Sequence, residues 1–508
     1  MNLIASTSTF SFFTLISRIL GYVRDILIAI FLGTSFFADA FFVAFRLPNT
    51  FRRLFAEGAF NAAFIPSYAG ELSQDKQIAD NFAKNIFNLL FIILLLFVLL
   101  AEIFMPQLIY LIAPGFYKDP EKLKLAVDLS RITFPFLFFI CLASFFSAIL
   151  NSYNKFAVAA AAPIILNVIL IASLFFSRWL NISEVLTLSY AVSFSGLLQF
   201  LILLFFVNKN FKPSLNIKVK IDQKTKFFFN KLIPSIFSSG VTQINILVGT
   251  IIASFQAGAI SYLYYADRVY QINLAVAGIA VGIVMLPELS KHIKNNNSDQ
   301  ATNLQNRALE LCLFLSIPAA TALVLASEEI VTSLFGYGSF NEESVNNTSA
   351  ALTFFAFGVP AFSILKIFSN FFFARDNTKL PFYLSVISVV LNIAISVLFF
   401  KKIGFIIIPI ATSISSWVNV ILYYYFIKRN NIHNFDGTFI YKFPRMIFST
   451  IIMGTILYFV LVFFSDKFHY NESWKVVYLF IIVSLSLFVY FIVSNFSGAF
   501  KFKDIKIR

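Results

Sequence analysis

Five arginines stand close together in a stretch apolar enough to lie in a bilayer: Arg18, Arg24, Arg46, Arg52 and Arg53, within residues 17–66. Three acids accompany them, Asp25, Asp39 and Glu57. A charged side chain at membrane depth is costly. It persists where it lines a protein cavity, pairs, or snorkels to the interface. A second-half counterpart, Arg268 beside Asp267, precedes a run of small residues (Ala275, Ala277, Gly278, Ala280, Gly282) that lets helices approach closely. Several guanidiniums around a low-dielectric cavity repel one another unless an anion is present. The planar guanidinium fork matches phosphate oxygens in pairs. These residues therefore point to capture of a phosphate or diphosphate group by Arg18, Arg24, Arg52 and Arg268.

Helical spacing assigns the remaining charges. Asp39 and Arg46 are seven apart and share a face, so the spacing makes Asp39 the partner expected for Arg46. Arg53 and Glu57 are at i,i+4 and are expected to pair. Arg52 is turned about 100° from Arg53 and is left for a ligand. Arg18 and Arg24 are six apart, about 120° out of register, with Gly21 between them as a site for a bend.

Other chemistries find no support in the sequence. There is no phosphate-binding loop with Lys-Ser/Thr, no nucleophile elbow and no paired acid and base. A prenyl-diphosphate enzyme needs acids to hold Mg²⁺, and the acids here are scattered beside arginines. His292, His433 and His469 are isolated in loops, so neither a metal site nor a cofactor is expected. Cys141 and Cys312 fall in apolar spans and read as buried thiols.

The elements that must position the arginines are membrane helices. The 508 residues are 59% hydrophobic and 13% charged, and a soluble fold cannot hide that much apolar surface. A ruler of about 20 apolar residues per crossing places fourteen spans, near 7–32, 37–69, 85–112, 130–151, 157–178, 184–207, 230–255, 259–288, 307–327, 349–373, 381–400, 404–427, 443–464 and 474–495. The second is too long for one straight helix, and Pro48 is where a kink is expected. The N-terminal span lacks a cleavage site and is expected to stay as the first helix.

With both termini inside, the inside loops and their helix ends hold 23 Lys/Arg against 8 outside. That bias sets both termini in the cytoplasm, and it accounts for the net charge of +14 without a nucleic-acid partner. A faint repeat relates DAFFVAFR (39–46) to YYADRVYQ (264–271), each followed by an apolar-Pro step. Repeats of this kind hold a transporter's substrate at their interface. The chain thus divides into residues 1–207, a basic linker 208–229, residues 230–427, and two further spans with a tail over 428–508.

The same motifs resemble the MurJ/MviN lipid II flippase family of the multidrug/oligosaccharidyl-lipid/polysaccharide exporter superfamily. They are SRILGYVRD (17–25), ADAFFVAFRLPNTFRRLFAEGAFNAAFIP (38–66), APGF (113–116), ITFPFL (132–137), AILNSYNKFAVAAAAPIILN (148–167), YYADRVYQ (264–271) and LPELSK (286–291). The resemblance implies two six-helix bundles around a central cavity and two C-terminal helices forming a groove for a lipid tail. It implies that Arg18, Arg24, Arg52 and Arg268 bind the substrate diphosphate. Asp39 and Glu57, with Asp25, Arg46, Arg53 and Asp267, become gating or charge-pairing groups. The implied activity is alternating-access transfer of lipid II from the cytoplasmic to the periplasmic leaflet of the inner membrane, with no catalysis. The implied partners are lipid II, membrane lipids and cell-wall synthesis proteins. Relatives with a sodium site carry an acid in helix seven, where this chain has Gln243 and Asn245. The alternatives are an exporter of another oligosaccharide-lipid or of drugs, though a drug antiporter would present cavity acids, and a membrane scaffold for cell-wall enzymes.

Overall fold

The computed structural model describes residues 3–55, 59–216 and 221–500. These form two compact units, Met1–Ser261 and Tyr262–Arg508. The first unit holds α1 (Leu3–Leu32), α2 (Phe36–Phe55), α3 (Ala59–Leu72), α4 (Lys76–Ile103), α5 (Met105–Ile112) and α6 (Pro120–Thr133). It continues through α7 (Pro135–Ser152), α8 (Phe156–Leu180), α9 (Glu184–Val207) and α10 (Gln223–Ala253) to the first turn of α11 (Ala259–Leu274). The second unit adds α12 (Val281–Lys294), α13 (Ser298–Leu325), α14 (Ser327–Phe335), α15 (Glu342–Ala356) and α16 (Val359–Phe373). It ends with α17 (Lys379–Ile403), α18 (Ile407–Arg429), α19 (Gly437–Phe463) and α20 (Lys475–Ser497).

The fold is all-α and polytopic. Among the described residues nine helical stretches are long and apolar enough to cross a membrane, or ten if α15 and α16, bent by 42°, count as one. One of the nine, Lys379–Arg429, is 51 residues long. At 1.5 Å per residue that is ~77 Å, more than twice the hydrocarbon core. Its two halves, α17 and α18, pack side by side, so the stretch folds back as a hairpin. The helix α2 is not among the nine because Asp39, Arg46, Arg52 and Arg53 fall within its 20 residues. It runs unbroken through Pro48.

Aromatic packing builds the first unit. Phe60, Phe64 and Tyr68 follow one another at i,i+4 on α3, with ring centroids 5.3 and 5.5 Å apart. They meet Phe82, Phe145 and Phe228 from α4, α7 and α10. Lipid tails are as apolar as these rings, so helix association rests on such packing. Because α10 carries Phe228 into this cluster, it packs with the first unit, on α2, α3, α4 and α5. The division in packing therefore falls after α10, whereas the sequence division at 208–229 follows the internal repeat. The APGF motif has a local cause. A Cβ on Gly115 would stand 2.2 Å from the Ser254 carbonyl oxygen, and the Gly115 amide donates to Ser254 Oγ at 2.9 Å.

In the second unit α13 is central, packed on α12, α15, α16 and α19. Cys141 and Cys312 are buried free thiols, one in each unit. His433, between α18 and α19, is not an isolated loop residue. It is buried, its Nδ1 lies 3.1 Å from Gln305 Oε1, and Phe371 and Phe435 flank its ring at 5.4 and 5.1 Å. Burial pushes its pKa down to about 4; nearby Asp436 opposes this and Arg375 adds to it. The unfolded chain binds the proton near pH 6.5. As pH falls from 6.5 toward 4, the unfolded state takes up a proton that the folded state refuses, so stability falls. The loss is expected to reach about 3 kcal/mol. Thermal unfolding in detergent between pH 7.5 and 4.5 checks this. His433→Gln is expected to flatten the decline, and an equal decline in both proteins would rule it out.

Candidate functional site

Helix α1 places Arg24 and Asp25 among its buried residues, at 6% and 2% exposure, and leaves Arg18 exposed beside Leu15 and Ile19. The angular offset between Arg18 and Arg24 is thus realised as two different surroundings. Arg24 donates from Nε and Nη2 to Asp25 Oδ1, at 2.9 and 2.7 Å. Its Nη1 donates to Asn167 Oδ1 on α8 at 2.9 Å. Asn167 in turn donates to the Ser17 carbonyl at 2.9 Å, which fixes its amide. Gly21 leaves room for this, since a Cβ there would already touch the Asn167 amide at 3.6 Å. The guanidinium Cζ lies 6.0 Å from the Phe45 ring centre. Three of the five N–H groups of a guanidinium are so engaged among the described residues, and two remain.

Helix α2 corrects one sequence expectation. Asp39 does not pair with Arg46. Its carboxylate, fully buried, accepts from Lys122 Nζ at 2.7 Å, from the Gly258 amide at 2.9 Å, and from the Ser261 amide and hydroxyl at 3.0 and 2.6 Å. Sharing a face was not enough, because seven residues separate the two along the axis by ~10 Å. Arg46 instead donates to the Thr250 hydroxyl on α10. Asp39 serves as the cap of α11, taking two of its first amides at the positive end of the helix dipole. Gly258 holds φ +74°, a turn that favours glycine.

Lys122 escaped the sequence reading, in which residue 122 falls in the loop between the spans near 85–112 and 130–151. It sits in the first turn of α6, 7% exposed, with its ammonium 4.5 Å from the Phe116 ring centre. The available signal was the Asp119-Pro120 start, which caps a helix and fixes where Lys122 points. Asn167 was also missed, although it ends one of the motifs quoted above.

Arg52 donates from Nε to Asn49 Oδ1 at 3.1 Å, and Arg53 is exposed. Glu57, the expected partner of Arg53, lies outside the described residues. In the second unit Arg268 donates from Nη2 to Tyr264 Oη at 3.1 Å, its Cζ 4.8 Å from that ring's centre. Asp267 accepts from the Gln271 amide. Within the first unit, then, Arg24 and Asp25 are brought together, Asp39 is engaged by Lys122 and α11, and Arg18 and Arg24 face different surroundings.

These surroundings can be set beside known proteins. The family described as lipid II flippase MurJ matches residues 28–479. A probable lipid II flippase MurJ of Rhizobium tropici is 38% identical over 465 residues, covering 90% of this chain and 87% of that protein. The one from Buchnera aphidicola subsp. Schizaphis graminum is 34% identical over 512 residues, covering 98% and 97%. Among solved structures, lipid II flippase MurJ in an inward closed conformation superposes with a TM-score of 0.82 at 29% identity, over 96% of this chain and 98% of that one. An inward-facing MATE transporter of the MOP superfamily gives a TM-score of 0.68 at 16% identity, over 82% and 94%, a likeness of fold.

Proposed function

The chain belongs to the lipid II flippase MurJ family, and on that premise we infer how it moves undecaprenyl-diphosphate-linked peptidoglycan precursor across the bacterial inner membrane. It is a multi-pass membrane transporter and not an enzyme. The movement runs from the cytoplasmic to the periplasmic leaflet by alternating access. Residues 1–207 and 230–427 each supply six of fourteen spans around a central cavity, with 208–229 as a basic cytoplasmic linker. Residues 428–508 add two spans and a tail. Both termini are cytoplasmic.

The diphosphate docks on Arg18, Arg24, Arg52 and Arg268. The observation that carries this is Arg24: a buried guanidinium held rigid by Asp25 and Asn167, with two N–H groups left for ligand oxygens. A preoriented fork of this kind loses little freedom when an oxyanion arrives. Asp39 and Lys122 form the contact that holds the start of α11 and must loosen when the cavity opens outward. Arg46, Arg53, Glu57 and Asp267 act as charge-pairing groups around this path. A negative-inside potential favours outward movement by about 2.3 kcal/mol per anionic charge per 100 mV. Cell-wall synthesis proteins are further partners, receiving the precursor once it is across.

The prenyl tail stays in lipid, against the groove between α13 and α19 lined by Thr321, Leu325, Thr450, Ile451, Gly454 and Tyr458. Gly454 keeps the groove open, since a Cβ there would lie 3.1 Å from Thr321 Cγ2. The test is reconstitution into vesicles carrying lipid II, reading the leaflet of its head group. The purified chain is expected to equilibrate the lipid, and Gly454→Phe to slow it about tenfold, a loss of ~1.4 kcal/mol. A wild-type chain that leaves lipid II in place would refute the assignment. Wild-type rates in Gly454→Phe would remove only the groove.

A further inference from the structure

The helix that carries Arg268 is not α-helical throughout. Between α11 and α12, residues Ala275–Ala280 form a π segment, with N–H groups bonding five residues back instead of four. Such a stretch carries one residue more than an α-helix of the same length. Returning it to α geometry turns one flank against the other by about 100° and slides it by about 1.5 Å. A π segment this long has poorer internal packing than an α-helix and persists where its surroundings hold it.

Here α16 is what holds it. Gly278 lies so close that a Cβ on it would stand 3.0 Å from Ser363 Cα. One turn on, Asn370 donates from Nδ2 to the Gly282 carbonyl at 2.8 Å, and a Cβ on Gly282 would meet that same nitrogen at 2.9 Å. The Ser363 hydroxyl, fully buried beside Gly278, has no hydrogen-bond partner among the described residues. A second register of the π segment would offer it different backbone carbonyls. Pro287 lies five residues beyond Gly282, so α12 also lacks a backbone hydrogen bond at its middle. Upstream, Tyr270, two residues after Arg268, packs against the tilted rings of Phe355 and Phe362, with centroids 5.0 and 5.5 Å away.

We propose that the π segment 275–280 is a register switch in the helix bearing Arg268, and that Asn370 is the positioning residue that latches it. While Asn370 holds Gly282, the switch stays in the π register and the angular position of Arg268 on α11 is fixed relative to α12. Release lets the spare residue migrate or be absorbed, turning Arg268. The proposal rests on the reading of Arg268 as a diphosphate ligand. The latch itself does not depend on that reading.

Amide hydrogen exchange on the purified full-length chain, without substrate, tests the latch. Asn370→Asp keeps the shape and removes the donor, and is expected to speed exchange in residues 276–286 about tenfold. Asn370→Leu, which fills a similar volume without a donor, is expected to speed exchange as much as Asn370→Asp; a purely steric role would leave its exchange unchanged. Unchanged exchange in Asn370→Asp overturns the latch whatever transport does. Faster exchange with wild-type lipid II binding overturns the link to Arg268. A second variant guards against misfolding: deletion of Val276, which is exposed, removes the spare residue and leaves both flanks in place. It is expected to keep thermal stability and lose lipid II transport at least about tenfold, and wild-type transport there also overturns the switch. If the wild-type chain itself bound no lipid II, the functional reading would fail, and exchange would still decide the latch.

Discussion

Asp39→Asn is expected to abolish lipid II transport and to lower stability by about 3–5 kcal/mol, the cost of leaving a buried charge unpaired. Asparagine fills the same volume, so the effect is one of charge and hydrogen bonding. The wild-type carboxylate accepts from four donors: Lys122 Nζ, the Gly258 amide, the Ser261 amide and the Ser261 hydroxyl. An asparagine amide turns one of its two oxygen positions into a donor, which then faces Lys122 or the first turn of α11. Lys122, 7% exposed, has no other carboxylate within ion-pair distance among the described residues. The double variant Asp39→Asn/Lys122→Met removes the stranded ammonium and is expected to recover most of the stability. Transport is expected to stay lost, because α11 still lacks its anionic cap. Thermal unfolding in detergent and complementation of a flippase-depleted cell read the two effects separately. Normal growth on Asp39→Asn would remove Asp39 from the gate. Full transport by the double variant would reduce it to a structural ion pair.

Hydropathy made the helices legible, because spanning a bilayer demands long apolar runs whatever the packing. Each of the fourteen expected segments contains or overlaps a helix, from α1 to α20. Their partners were less legible. Helical periodicity gives angle around an axis but says little of height along it, which is why Asp39 was matched with Arg46 and not with Lys122. Lys122 itself looked like a solvated loop lysine, since a window of hydropathy cannot see that Phe116 and Asp39 cover it. His433 shows the same limit: its loop is polar in sequence but folds onto Gln305 and two aromatic rings. The π segment is invisible to patterning, because its small residues read equally well as an α-helix packing face. What the sequence did reveal was chemistry: an arginine in an apolar run has to be held by something, and Arg24 is held by Asp25 and Asn167.

Arg24→Ala is the second change of large expected effect. It is expected to weaken lipid II binding by about 100-fold, near the value of one or two hydrogen bonds between charged groups. Binding of lipid II to the purified chain, compared across variants, measures it. The substitution also takes the Arg24 contact from Asp25, which is 2% exposed, so a loss of fold would mimic a loss of binding. Asp25→Asn added to Arg24→Ala removes the buried charge. The pair is expected to regain stability without regaining binding, and recovery of both would place Arg24 outside the ligand site. Arg24→Lys keeps the charge but cannot reach Asp25 and Asn167 together, because an ammonium lacks the planar fork. It is expected to bind about tenfold more weakly than wild type, and full binding would mean that a point charge is sufficient. Arg18→Ala isolates the ligand term more cleanly. Arg18 is exposed and has no ion pair or hydrogen bond among the described residues, so its loss costs the fold little. Weaker lipid II binding with unchanged unfolding would then come from the diphosphate alone. Unchanged binding would leave Arg18 as an interfacial anchor and confine the anion site to Arg24, Arg52 and Arg268.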